Sequence, residues 1–196
     1  MPDSLAPARV EPRLRGRFGR PYRYAELCAS TQRLLEDDDP EGTVAVAEEQ
    51  SEGRGRLGRS WQAPAGSSVL FSLVLEPPVP TPRLPELSLV AGDAVAAAVR
   101  SVAAVEPTVK HPNDVLIDGK KVAGVLAESG DGRVRLGIGV NANQSSDELP
   151  TGLETPATSL RVETGGEIDR VALLAAILEE LERAYDAWLS EIEASG

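Results

Sequence analysis

Residues 114–141 read DVLIDGKKVAGVLAESGDGRVRLGIGVN, and their punctuation decides the architecture. Asp118-Gly119 and Asp131-Gly132 split the stretch into three runs, 114–118, 120–129 and 133–141. Asp-Gly favours the φ > 0 conformations of tight hairpin turns, so a three-stranded antiparallel meander is predicted. Upstream, PELSLVAGDAVAAAVRSVAA at 85–104 has helix length, with Pro85 suited to the first turn. It is nearly all small and apolar and should lie against a sheet. SSVLFSLVLE at 67–76 reads as a buried strand or short buried helix, closed by a rigid loop at Pro77, Pro78, Pro80 and Pro82. TVAVAEE at 43–49 and RYAELCAS at 23–30 have strand length, and Ser30-Thr31 offers an N-cap for a helix through QRLLEDD. Downstream, 169–194 places Leu174, Ile177, Leu178, Leu181, Tyr185 and Trp188 on one helical face, as core residues. Strands, helices and antiparallel hairpins in this mixture predict an α+β (mixed α/β) fold.

Composition sets the outer limits. A chain of 196 residues with 41% apolar content can bury one substantial core. Its net charge of −11 argues against generic binding to nucleic acid or an anionic membrane. A single cysteine, Cys28, allows no internal disulfide and reads as buried filler. With only His111 beside it, a zinc site is not expected. No apolar run reaches membrane-spanning length, and the expectation is a cytoplasmic protein. Charge is uneven: from Asn141 onward there are twelve acidic residues and three basic ones, whereas 9–23 holds six arginines and one acid. Residues 1–22 lack periodicity and are expected to form an extended, solvated basic arm, with one domain over 23–196.

QSEGRGRLGRSW at 50–61 contains Gly53-x-Gly55-x-x-Gly58, the spacing of a dinucleotide-binding turn. Such a turn must lead from a strand into a helix, and RSWQAPAGSSVLF leads instead through Pro64 and Gly66 to a strand. Gly137-x-Gly139-x-x-Ala142 fails the same test, and no P-loop is present. What remains is a glycine-hinged loop carrying Arg54, Arg56 and Arg59, three permanent cations able to fork onto phosphate or carboxylate. In KHPNDVLIDGKKVAGVLAE, Lys110 precedes His111-Pro112, which places the lysine at a strand end beside Asn113, whose amide donates and accepts.

GRGRLGRSW and KHPNDVLIDGKKVAGVLAE, with STQ upstream and LGIGVNAN downstream, resemble the catalytic domain of biotin protein ligases over about residues 23–190. The resemblance implies a mixed sheet related to class II aminoacyl-tRNA synthetases. It also implies two reactions: biotin and ATP give biotinyl-5'-AMP, and a lysine of a biotin carboxyl carrier protein then takes the biotin. By matched motif, Ser30, Thr31, Gln32 and Gln50 should meet biotin, with Gly124, Gly137 and Gly139 lining its site. Arg54, Gly55 and Arg56 should close over the carboxylate, and Lys110, Arg54 and Arg56 should act in catalysis. Arg56, Arg59, Trp61, Lys110, Asn113 and Asn141 should face the nucleotide, with Mg2+ accompanying ATP and no metal ligands assigned. His111 stands where the family usually has tryptophan and is expected to be a packed, neutral imidazole. The family's N-terminal DNA-binding domain and C-terminal SH3-like barrel find no counterpart, so DNA binding is not expected, and a homodimer stays open. Three rival readings are a lipoate or other acyl ligase on the same scaffold, a binding-only domain, and an RNA-binding module. The last is opposed by net charge and sparse aromatics.

Overall fold

Seven strands form one mixed sheet in the computed structural model, which describes residues 3–195. They are β1 (Tyr22–Cys28), β2 (Val44–Gln50), β3 (Ser68–Leu75), β4 (Thr108–Lys110), β5 (Asp114–Ile117), β6 (Lys120–Gly130) and β7 (Arg133–Asn141), in the order β1-β2-β3-β7-β6-β5-β4. Only β1 and β2 run parallel; the other neighbours are antiparallel. The meander is present as predicted. Asp118, Gly119, Asp131 and Gly132 all have positive φ, which is the backbone twist that two-residue hairpins require.

Four α-helices accompany the sheet: α1 (Pro7–Val10), α2 (Leu87–Ala103), α3 (Leu160–Thr164) and α4 (Arg170–Ser195). α2 and α4 pack on each other and against one sheet face. The reason is periodicity. Val69, Phe71, Leu73 and Leu75 of β3 alternate toward that side, as do Val134, Leu136, Ile138 and Val140 of β7. Gly92 of α2 sits where a side chain would press on Val109 of β4, so a small residue lets the helix lie close. Leu174, Ile177, Leu178, Leu181, Tyr185 and Trp188 are all buried, as expected for the inner face of α4.

Residues 4–18 are not an extended solvated arm. Leu5, Val10, Leu14 and Phe18 are buried in the main core, and Phe18 meets Tyr185 with ring centroids 5.9 Å apart. The arginines between them face the acidic last helix. Arg17 lies 2.5 Å from Asp186 and 3.2 Å from Glu182, and Arg13 lies 3.5 Å from Asp169. The two charge blocks at opposite ends of the sequence thus neutralise one another in space. Apolar residues spaced four or five apart among arginines carried that signal, and the Pro/Gly content masked it.

The helix expected after Ser30 is a single 3-10 turn, Thr31–Leu34, and the Ser30 side chain makes no capping bond. Leu35 turns extended and buries against Ala45 and Val74, so tertiary burial overrides helix propensity there. Likewise Pro85 ends in a 3-10 turn before α2. His111 is exposed, not packed. Cys28 is half-buried, and burial pushes its thiol pKa up.

Candidate active site

The sheet face opposite α2 and α4 carries a groove with about 510 Å³ of empty space, partly open to solvent. That is within the usual range for a small-molecule site. Its floor follows from strand register. Gly124 of β6 lies opposite Gly139 of β7, and the next row on this face sets Leu126 opposite Gly137, with Ser72 of β3 on the other side of Gly137. Glycine is required because side chains from the roof descend onto it. A Cβ at Gly139 would lie 2.7 Å from the Trp61 ring, one at Gly124 3.0 Å from it, and one at Gly137 2.8 Å from Gln32 Nε2.

The roof comes from two segments. The 3-10 turn Thr31–Leu34 brings Thr31 and Gln32 over the Gly137 row, where Thr31 Oγ1 lies 2.8 Å from Ser72 Oγ. The Thr31 N–H donates to Gln50 Oε1 at 2.7 Å. The second segment is the Arg/Gly loop, a small hairpin in which Arg54 bridges Ser60 and the Trp61 N–H donates to Gly53 O at 2.8 Å. Gly53 has no room for a side chain, since its Cβ would stand 2.3 Å from Trp61 O. The hairpin lays the Trp61 indole on Gly124 and Gly139, with Nε1 buried and unpartnered.

Cations gather at the rim. Arg56 donates to Asn113 Oδ1 at 3.2 Å, and Asn113 is itself held by Val125 through its side chain (3.1 Å) and its backbone (2.9 Å). Arg54 lies 3.3 Å from Glu128, about half exposed. Lys121 stands over the Trp61 ring at 5.6 Å and 2.7 Å from Asp114, three-quarters shielded from solvent. Its backbone is fixed by Pro156 O at 2.7 Å and the Thr158 N–H at 2.9 Å.

Of the residues expected from sequence, Ser30, Thr31, Gln32, Gln50, Arg54, Gly55, Arg56, Trp61, Asn113, Gly124, Gly137 and Gly139 line this one groove. Three do not. Lys110 is exposed on β4, the far edge strand, and donates to Thr155 Oγ1 at 3.0 Å. Two strand spacings, about 10 Å, separate it from β6. Arg59 is 71% exposed and 3.8 Å from Glu154. Asn141 is buried, its amide committed to Thr158 O and Gln144. Sequence reasoning also missed Lys121. The β5–β6 register shifts between Val115 and Leu116, which pair with Ala123 and Lys121, so Val122 is an extra residue. A bulge of this kind reverses side-chain parity and re-aims Lys121 onto the face of Gly124. The consecutive buried pair Val122-Ala123 in an otherwise alternating strand was the available signal.

The Arg54–Glu128 pair is exposed enough to contribute little, about 0–1 kcal/mol. A substrate carboxylate can therefore displace Glu128 from the guanidinium. If Glu128 competes in this way, Glu128→Gln should lower the half-saturating concentration of an acidic ligand by roughly two- to fivefold. Titration calorimetry of both chains checks it, and equal affinities would exclude the competition.

An uncharged amide-and-hydroxyl pocket over a glycine floor, rimmed by three cations, defines an organic-acid-binding domain of the acyl-ligase type. The chain belongs to the biotin/lipoate A/B protein ligase family, which it matches over residues 24–144. It is 39% identical to the bifunctional ligase/repressor BirA of Bacillus spizizenii over 85% of this chain and 54% of that one. It is 36% identical to the biotin–[acetyl-CoA-carboxylase] ligase of Mycobacterium tuberculosis over 95% of this chain and 74% of the relative. The chain thus spans about half the length of the Bacillus relative. The biotin protein ligase from Aquifex aeolicus, solved in complex with biotin and ATP, superposes with a TM-score of 0.78 at 35% identity, over 85% of this chain and 71% of that one. Among the described residues no helix is long and apolar enough to cross a membrane.

Proposed function

We propose that this chain activates biotin with ATP and passes it to a lysine of a biotin carboxyl carrier protein. The observation that carries the reading is the joining of an uncharged polar pocket and a cationic rim in one groove. A carboxylic acid with a polar, uncharged ring system meets both. In the first step a carboxylate oxygen attacks the α-phosphorus, the bond to the β-phosphate oxygen breaks, and pyrophosphate leaves. Both reactants are anions, so they approach only where positive charge is fixed beforehand. Lys121 and Arg56 stand at the rim, and Arg54 joins them on leaving Glu128. In the second step the carrier's lysine amine attacks the acyl carbon, AMP leaves, and the amine loses a proton. The hairpin roof would keep water from the mixed anhydride.

Among the described residues no group of three or more His, Cys, Asp or Glu side chains is placed to hold a metal ion. Mg2+ in this reading arrives on the triphosphate, as is usual for that ion. Its chemistry is to neutralise charge on the departing pyrophosphate.

The test is pyrophosphate release from MgATP with biotin or lipoate, followed by label transfer to an apo carrier domain. Biotin-dependent release with transfer is expected. Release with lipoate alone would reassign the acid, and release without transfer would leave only the activation step.

A further inference from the structure

Gln32 is 4% exposed, and its two amide atoms are not equally provided for. Nε2 reaches Leu126 O at 3.4 Å in the space that Gly137 leaves free. Oε1 is buried with no donor. The neighbouring polar groups over the same floor are already matched: Thr31 with Ser72 and Gln50, and Asn113 with Arg56 and Val125. A buried carbonyl without a donor is costly and uncommon in a native fold. Here it belongs to a residue lining the groove. The only other groove atom in this position is a donor, Trp61 Nε1, which cannot serve Gln32 because it lies over Gly139. Gly137 and Gly139 are two residues apart on one strand face, about 7 Å. That distance is the reach of a short aliphatic arm.

We propose that Gln32 Oε1 accepts a hydrogen bond from a ring N–H of the bound acid and thereby selects a cyclic urea over acids whose ring has no N–H. The proposal rests on the biotin-activation reading and deepens it. A urea ring brings N–H donors to the Gly137 row while its aliphatic arm points the carboxylate along β7 toward Trp61 and Lys121. A dithiolane of similar size fills the space but leaves the Gln32 oxygen buried and unpaired. Sites built to receive a hydrogen bond reject analogues that lack it far better than apolar pockets reject a missing methylene. Gln32 acts on binding and not on the reacting atoms, so its loss belongs in affinity.

The experiment is a cycle between two ligands and two chains. Biotin is compared with its two lactam analogues, in each of which one ring N–H is replaced by CH2, by calorimetry on the parent chain and on Gln32→Leu. The parent chain is expected to bind one lactam about 10–100-fold more weakly than biotin, while Gln32→Leu binds the two alike. In pyrophosphate release, Gln32→Leu is expected to raise the KM for biotin by a similar factor with kcat nearly unchanged. If the parent chain binds both lactams as tightly as biotin, the role is overturned without recourse to a variant. Retention of the discrimination by Gln32→Leu overturns it too, with the ligase reading intact. A parent chain that binds no biotin overturns both.

Discussion

Lys121→Met is expected to slow biotin-dependent pyrophosphate release by about 10²–10³-fold, the usual cost of one fixed charge-stabilising donor. Lys110→Met, an exposed change, should alter it by no more than about twofold. The contrast follows from where the sheet puts the two ammonium groups. Lys121 is held from three directions: by Asp114 at 2.7 Å, by the Trp61 ring beneath it, and by backbone bonds to Pro156 and Thr158. A lysine so constrained presents its charge at one point of the rim without waiting for substrate to order it. Lys110 is exposed at the sheet's edge and is engaged with Thr155. Removing the Lys121 ammonium also leaves Asp114 without its cation, so part of any loss could come from folding. Lys121→Arg separates the effects. It keeps a cation against Asp114 and Trp61 but replaces a compact charge with a planar fork, so release should fall while the melting temperature holds. A slow Lys110 variant beside a normal Lys121 variant would reverse the assignment.

How far the site could be read from sequence depended on whether the chain keeps its alternation. Gly137 and Gly139 announce a floor because they sit two apart in a β-branched strand, and Gly124 falls opposite Gly139 once the Asp131-Gly132 turn fixes the register. The same counting fails three residues earlier. Strict alternation from Gly124 sends Lys121 to the core side, and only the extra residue at Val122 returns it to the groove. Nothing in the order of the letters distinguishes Lys110, at the end of a strand, from Lys121, at the start of one, until the sheet order is known. That order places β4 outermost although it precedes β5 and β6 in the chain. Asn141 shows the complementary error. Its position at the end of β7 suggested a ligand contact, but its amide is committed to Thr158 and Gln144, which ties the loop after β7 to the sheet.

The first residues of the chain were the hardest to read, and they lead to the largest expected effect on stability. Arg170 opens α4 and is 2% exposed, with Nε 2.6 Å from Asp3, Nη1 2.8 Å from Glu48 and 2.9 Å from Ser68 O. Glu48 in turn accepts from the Leu5 N–H at 2.7 Å, so one guanidinium ties the N-terminal segment, β2, β3 and α4 together. Arg170→Met should destabilise the fold by about 3–5 kcal/mol, because it strands a largely buried carboxylate rather than because the pair itself is strongly favourable. For a chain of this size that corresponds to a melting temperature lower by roughly 6–20 °C. Arg17→Met removes an ion pair of similar length to Asp186, but both partners are about half exposed, so the cost should be within about 1 kcal/mol. The double variant Arg170→Met with Glu48→Met decides between the two explanations of the loss. If the stranded charge is the cause, removing it should recover a good part of the stability in urea melts. If Arg170 contributes mainly by attraction, the double variant will be no more stable than the single one.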